Sequence, residues 1–239
     1  MKKFTIVLTL LFSTFMYAQD EIDTVTTNIA TAMYGIGIQG GPTIINPEYI
    51  NNQIEFVNEA TNSSMRPVRS AAMWGAWMSV RPKNMYNYIS LRAEYISSER
   101  SYSSVTQQTD MNGSVTGSLE TSVNTLYTLY PLSLNVGAVI PKTAIKFEIG
   151  FVYAFSSVEE EGTLNTGTSY TKTVDGEGYG LRTSLQFLFP LQDKLNATFD
   201  MGYRYLQIED YRDDRGNQLR NFIADYSGII CSIGLSYGM

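Results

Sequence analysis

Histidine is absent from all 239 residues. Without an imidazole the chain cannot assemble a Ser–His–Asp or Cys–His centre. With one cysteine, Cys231, it has no Cys/His set for zinc either. The same lone thiol excludes an intramolecular disulfide, so an exported fold must hold together by packing and hydrogen bonding. Positive charge is scarce: 17 Lys and Arg stand against 23 Asp and Glu, a net charge of −6. That sign excludes nucleic acid as an expected partner. Long apolar runs are missing beyond the first eighteen residues, where none reaches the ~20 residues of a spanning helix.

The start of the chain has its own logic. Met1-Lys2-Lys3 is followed by a largely apolar Phe4 to Tyr17 and then Ala18-Gln19-Asp20, the n, h and c regions of a secretory signal peptide. We expect a signal peptide at 1–18, a short acidic and Thr-rich leader at 19–32, and a single unit over 33–239. Cleavage after Ala18 removes two lysines and no acid, taking the net charge to −8. No cysteine follows the cut, so no lipid anchor is expected.

What the chain does have is alternation. From Ile145 the odd positions Ile145, Phe147, Ile149, Phe151, Tyr153 and Phe155 are large and apolar, while Lys146, Glu148, Gly150, Val152 and Ala154 lie between them. A period of two over this length is a β-strand with two unlike faces. Seven further segments repeat it: Met33 to Gln39, Arg69 to Val80, Tyr88 to Ile96, Asn124 to Ile140, Gly178 to Phe189, Leu195 to Ile208 and Phe222 to Met239. Pro131 interrupts the fourth strand, where a bulge or irregularity is expected. Gly35, Gly37 and Gly40 spell GxGxxG, but Gly41-Pro42 follows where a dinucleotide site needs a helix. They are glycines of a strand and its exit turn.

The connections alternate. Short turns carry Pro82, Pro141 and Pro190; long polar loops cover 43–68, 97–123, 156–176 and 209–221. Eight strands joined this way describe an all-β, eight-stranded, antiparallel up-and-down barrel, with turns at one rim and loops at the other. Alternation alone does not say which face points out. Volume does: the interior of eight strands is just wide enough for its own side chains. The Phe, Tyr, Leu, Ile, Met and Trp rows would overfill it, so they face lipid, and the rows of Gly, Ser and charge fill the bore. Arg92, Lys146, Arg182 and Arg204 then share that bore with Glu94, Glu148 and Asp200, and confined charges of opposite sign should pair. Aromatics fall at both rims: Tyr88, Phe189 and Tyr237 by the turns, and Tyr95, Tyr153, Phe155, Tyr203 and Tyr205 by the loops.

On these rows and connections the chain resembles the eight-stranded outer-membrane barrels of the OmpA/OmpX type, over nearly all of its expected mature length. Its Ala18-Gln19 junction looks like that of outer-membrane proteins of the Bacteroidota. It departs from the aromatic last residue common in such barrels, ending Tyr237-Gly238-Met239. The resemblance implies residence in the cell outer membrane, with membrane lipid as the immediate partner. Barrel hydrolases and proteases generally use a histidine, so no enzyme is expected, and neither is a cofactor or metal. Glu159-Glu160-Glu161 and Asp210, Asp213 and Asp214 read as solvated loop charge. The expected role is non-enzymatic: a salt-bridged bore, with the four long loops serving envelope structure or meeting an external ligand or protein. Transport of a small or hydrophobic solute is the alternative, and it needs an open bore.

Overall fold

The computed structural model describes residues 32–45, 48–61, 66–83, 85–109, 115–219 and 223–238. The expected signal peptide 1–18 lies outside the described residues, as does the leader 19–32 except for Ala32, which opens the first strand. The strands are β1 (Ala32–Ile45), β2 (Ser70–Pro82), β3 (Asn87–Thr109), β4 (Val115–Val139), β5 (Ile145–Leu164), β6 (Ser169–Gln192), β7 (Leu195–Asp213), β8 (Ala224–Asp225) and β9 (Gly228–Gly238). Each long strand pairs antiparallel with the next, and β9 closes the circle between β7 and β1. The ring has eight members, because β8 pairs only with Gln207 and Ile208 of β7. The barrel expected from the alternation is there.

The two faces sort by parity. Ile36, Trp74, Leu134, Phe151, Met201 and Ile233 point outward and are 45–69% exposed. No other part of the described chain covers them, and water would be a poor solvent for a continuous band of such side chains. Hydrocarbon suits it, and a closed ring leaves no unpaired strand edge inside the lipid. The cylinder is a transmembrane β-barrel. Tyr95, Tyr130, Tyr153, Phe155 and Tyr179 make a loop-side aromatic band, with ring centroids of neighbours 4.8–5.5 Å apart.

The bore differs from the expectation that glycine and charge fill it throughout. The buried charge is confined to the turn-side half. The loop-side half of the bore is an apolar core that includes Met73, Ile96, Leu129, Val152, Leu206, Ile208 and Ile230. These residues occupy the inward parity of their strands, continuing the rows that begin with charge nearer the turns. Tyr88 also departs from the expected rim: it is buried in the bore, with its ring against Gly137, where a Cβ would sit 2.5 Å from the ring. Gly37 plays the same part for Trp77, whose ring would lie 2.5 Å from a Cβ there. Gly37 is thus a seat for a bore side chain, while Gly40 lies against the outward Trp74 ring and Gly41 against the backbone of β9. No exit turn follows Gly40, since β1 runs on through Gly41 and Pro42 to Ile45.

The long loops are mostly ordered secondary structure. Residues 43–68 contain the helix α1 (Glu48–Thr61), which lies against β8 and β3 and sets Ile54 into the apolar core. Asn51 fixes it to the chain beyond, donating to the Val68 carbonyl at 3.0 Å and accepting from its amide at 2.7 Å. Within 97–123 and 156–176, β3 to β6 continue past the rim as a four-stranded sheet, joined down the middle from Thr121↔Leu164 onward. Their Ser- and Thr-rich sequence hides this, because both faces of the extension meet water and no apolar alternation is required. Threonine still favours the extended backbone. Pro131 produces no register shift: pairing with β3 lapses at Glu94 and Tyr95 and resumes unchanged. The expected last strand 222–239 is broken at Tyr226 and Ser227. There the Ser227 amide donates to the Asp225 carboxylate at 2.8 Å, and its hydroxyl accepts from the Leu206 amide at 3.1 Å.

The apolar half of the bore makes a quantitative demand. Leu206 is fully buried among these residues. Leu206→Ala should therefore lose about 2–5 kcal/mol of unfolding free energy, the usual range for a packed leucine, in urea titrations of vesicle-inserted protein. A change within the scatter of outward Leu→Ala variants would contradict a packed interior at this level.

Candidate functional site

The turn-side half of the bore is where the chain concentrates its buried chemistry. Inward positions on β3, β5, β6 and β7 carry the seven charges singled out from the sequence, and all are 1–7% exposed. Strand pairing brings them to neighbouring levels: Gly150 faces Arg182 across β5–β6, Arg182 faces Arg204 across β6–β7, and Gln186 faces Asp200. A charge taken this far from water needs a partner of opposite sign and further hydrogen bonds.

Six of the seven form one chain of ion pairs. Arg92 holds Glu148 through Nη2 at 2.6 Å and Nε at 2.8 Å, and reaches Asp200 through Nη1 at 2.9 Å. The same Asp200 oxygen takes Arg182 Nη2 at 3.3 Å. Arg182 Nη1 pairs with Glu94 Oε1, and the other Glu94 oxygen takes Arg204 Nη1 at 3.1 Å. The sequence runs Glu148, Arg92, Asp200, Arg182, Glu94, Arg204, with anion and cation alternating. Two carboxylates each serve two arginines, as the several acceptor sites of a carboxylate and the fixed fork of a guanidinium allow.

Lys146 stands apart from this chain. Among the described residues no carboxylate lies within ion-pair distance of it. Its ammonium instead faces the Trp77 and Tyr88 rings, 5.4 and 5.6 Å from their centroids. Four neutral residues that the charge pattern does not single out join the network. Gln39 accepts from Arg92 Nη1 at 2.8 Å and donates to Glu94 at 3.3 Å. Ser90 donates to Glu148 at 3.0 Å and accepts from Asn135 at 3.2 Å. Trp77 lies beneath Arg92 as well, 5.6 Å from centroid to guanidinium carbon. Parity would have found them, since each sits on the inward row of its strand.

The surface carboxylates have local work. Asp210 pairs with Arg212 at 3.1 Å and accepts from Gln218 at the same distance. Asp213 accepts from the Asn217 side chain and from the Asn217 and Arg215 amides, at 2.8–3.0 Å. The Asn217 side-chain bond, followed by its backbone bond, holds that carboxyl below its ordinary range. Glu160 accepts from the Tyr170 hydroxyl at 2.9 Å, across the β5–β6 extension.

No protein-family model matches the sequence, and no curated protein matches it at a significant level. Solved structures with a similar barrel include a major outer membrane protein from Thermus thermophilus. It is 12% identical, with a TM-score of 0.45 over 87% of this chain and 99% of that one. The outer membrane protein OprG from Pseudomonas aeruginosa is 12% identical, with a TM-score of 0.40 over 86% and 95%. The outer membrane protease OmpT from Escherichia coli is 9% identical, with a TM-score of 0.36 over 87% and 96%. The likeness is one of barrel architecture and reaches no further.

Removing one charge from the alternating chain leaves its partners buried and short of a counter-ion. Glu94→Gln strands parts of both Arg182 and Arg204, and should cost about 3–5 kcal/mol of stability, as breaking a buried pair does. Urea unfolding in vesicles reads this directly. A loss below about 1 kcal/mol, the range of an exposed surface pair, would mean that the bore is wet at Glu94.

Proposed function

We propose that this outer-membrane β-barrel is non-enzymatic: a sealed cylinder that carries a rigid surface sheet for envelope structure or for contact with an external partner. The observation that carries this reading is that two layers close the bore in series. The ion-paired chain occupies the turn-side half, the apolar core occupies the loop-side half, and Ile54 of α1 packs into that core. A solute path would have to break a continuous set of buried ion pairs and then cross a dry layer. The absence of histidine from the sequence and the commitment of the bore carboxylates to arginines support a role without catalysis.

The partner-facing parts are 43–68, 97–123, 156–176 and 209–221. The middle two make the projecting part of β3 to β6, and scaffolded surface segments of this kind are where binding is commonly placed. Its strands present Val105 and Tyr170 among Ser, Thr and Glu, a surface suited to a polar macromolecule. Lipid remains the partner of the belt.

Reconstituted into planar bilayers, the protein should show no stable single-channel steps, and large steady steps would favour transport instead. Trimming Ser101 to Ser122 back to the rim should leave heat-modifiable gel mobility intact while abolishing the surface attachment that the full-length protein confers. Attachment that survives the trimming would count against the projecting sheet.

A further inference from the structure

The buried charges of the bore do not balance. Arg92, Lys146, Arg182 and Arg204 face three carboxylates, Glu94, Glu148 and Asp200. The three arginines pair with all three carboxylates, leaving Asp200 Oδ1 without a donor among the described residues but no carboxylate within ion-pair distance of Lys146, which is 3% exposed and carries the surplus positive charge. Two aromatic rings offset part of it. The penalty for a buried ion without its counter-ion exceeds what two rings supply, so the rings alone leave a deficit.

Hydrogen-bond donors are in surplus at the same level. Gln186 is the direct partner of Lys146 across the β5–β6 ladder, is almost fully buried, and its Nε2 has no acceptor among the described residues. Trp77, whose ring faces the ammonium, has an indole N–H without an acceptor there. Towards the rim, Arg81 Nε is likewise buried and unaccepted. A group of donors around one uncompensated cation calls for a species that only accepts. Its charge should be −1, to match the one surplus charge of the fully buried set, and the half-buried Arg81 at the rim adds to the attraction. Its hydration should be weak, because it must shed water to sit beside Trp77 and Tyr88.

We infer that the turn-side end of the bore binds a small, weakly hydrated inorganic anion of halide type, held by the Lys146 ammonium with Gln186 Nε2 as a second donor. The site is entered from the turn rim, because the apolar core closes the other direction. It is independent of whatever the surface sheet contacts.

Iodide tests this, since it is both a candidate ligand and a quencher of tryptophan. The chain has two tryptophans, and Trp74 faces lipid, so a Trp74→Phe background reports Trp77 alone. Quenching by iodide in detergent should saturate, be relieved by excess bromide, and not be reproduced by caesium. In Trp74→Phe with Lys146→Met the saturable component should disappear while heat-modifiable mobility is retained. Quenching that stays linear, or saturable quenching that survives Lys146→Met, overturns the site. Should Lys146→Met fail to fold, crystals of the unaltered protein grown in bromide decide the matter. An anomalous peak within ion-pair distance of Lys146 Nζ supports the site, and its absence overturns it.

Discussion

The narrowness of an eight-stranded ring governs everything else in this molecule. A cylinder of that size has room inside for its own side chains and little more, so each inward position has to be filled from across the bore or left to a small residue. The seating of the Trp77 ring on Gly37 and of the Tyr88 ring on Gly137 is that constraint at single residues. It also explains the alternating ion pairs. With no room for a water column, a buried charge is kept by opposite charge on a facing strand, and Asp200 and Glu94 each hold two arginines.

The division of the bore into a polar and an apolar half has a consequence for what the barrel does. The ion-paired half fixes which strands face one another, because four of its five pairs join strands that are not neighbours in the ring: Arg92 on β3 to Glu148 on β5 and Asp200 on β7, and Glu94 on β3 to Arg182 on β6 and Arg204 on β7, while Arg182–Asp200 links the adjacent β6 and β7. The apolar half then packs as a soluble core would, with Ile54 and Tyr226 delivered from outside the ring. The Tyr211 hydroxyl donates to Ser156 at 3.0 Å, and Ser156 lies 3.1 Å from the Tyr226 hydroxyl, which keeps these buried hydroxyls hydrogen-bonded at the edge of the dry layer. A cylinder closed this way is braced across its bore, and the β3 to β6 extension stands on its loop side.

How much of this can be read from the sequence follows from how many environments each segment has. Where one face meets lipid and the other the bore, alternation is enforced, and rows such as Ile145 to Phe155 reveal strand, face and charge positions together. Where the bore turns apolar, inward and outward residues are both greasy. The contrast between faces therefore fades at Met73, Ile96 and Leu206, and only the parity continued from the polar rows marks those residues as interior. Tyr88 suits a rim by its chemistry, although its parity matches that of Ser90 and Arg92. In the projecting sheet both faces are wet and the strands read as loop. The helix α1 is hard to see because its apolar residues are interspersed with Asn, Gln and Glu in a segment that reads as a polar connection. Charge counting puts Lys146 in a carboxylate pair because it ignores reach, and the aromatic faces Lys146 meets instead are invisible to a list of charged residues.

The claim that the rest hangs on is one of direction, and two residues of one strand test it. Trp74 and Trp77 lie on opposite faces of β2, the first exposed outward and the second buried inward. Two single-tryptophan proteins, Trp77→Phe and Trp74→Phe, inserted into bilayers whose acyl chains carry bromine, report which indole touches lipid. The account predicts strong quenching of Trp74 and little of Trp77. Quenching of Trp77 with Trp74 spared would put the bulky rows on the axis and contradict the whole arrangement.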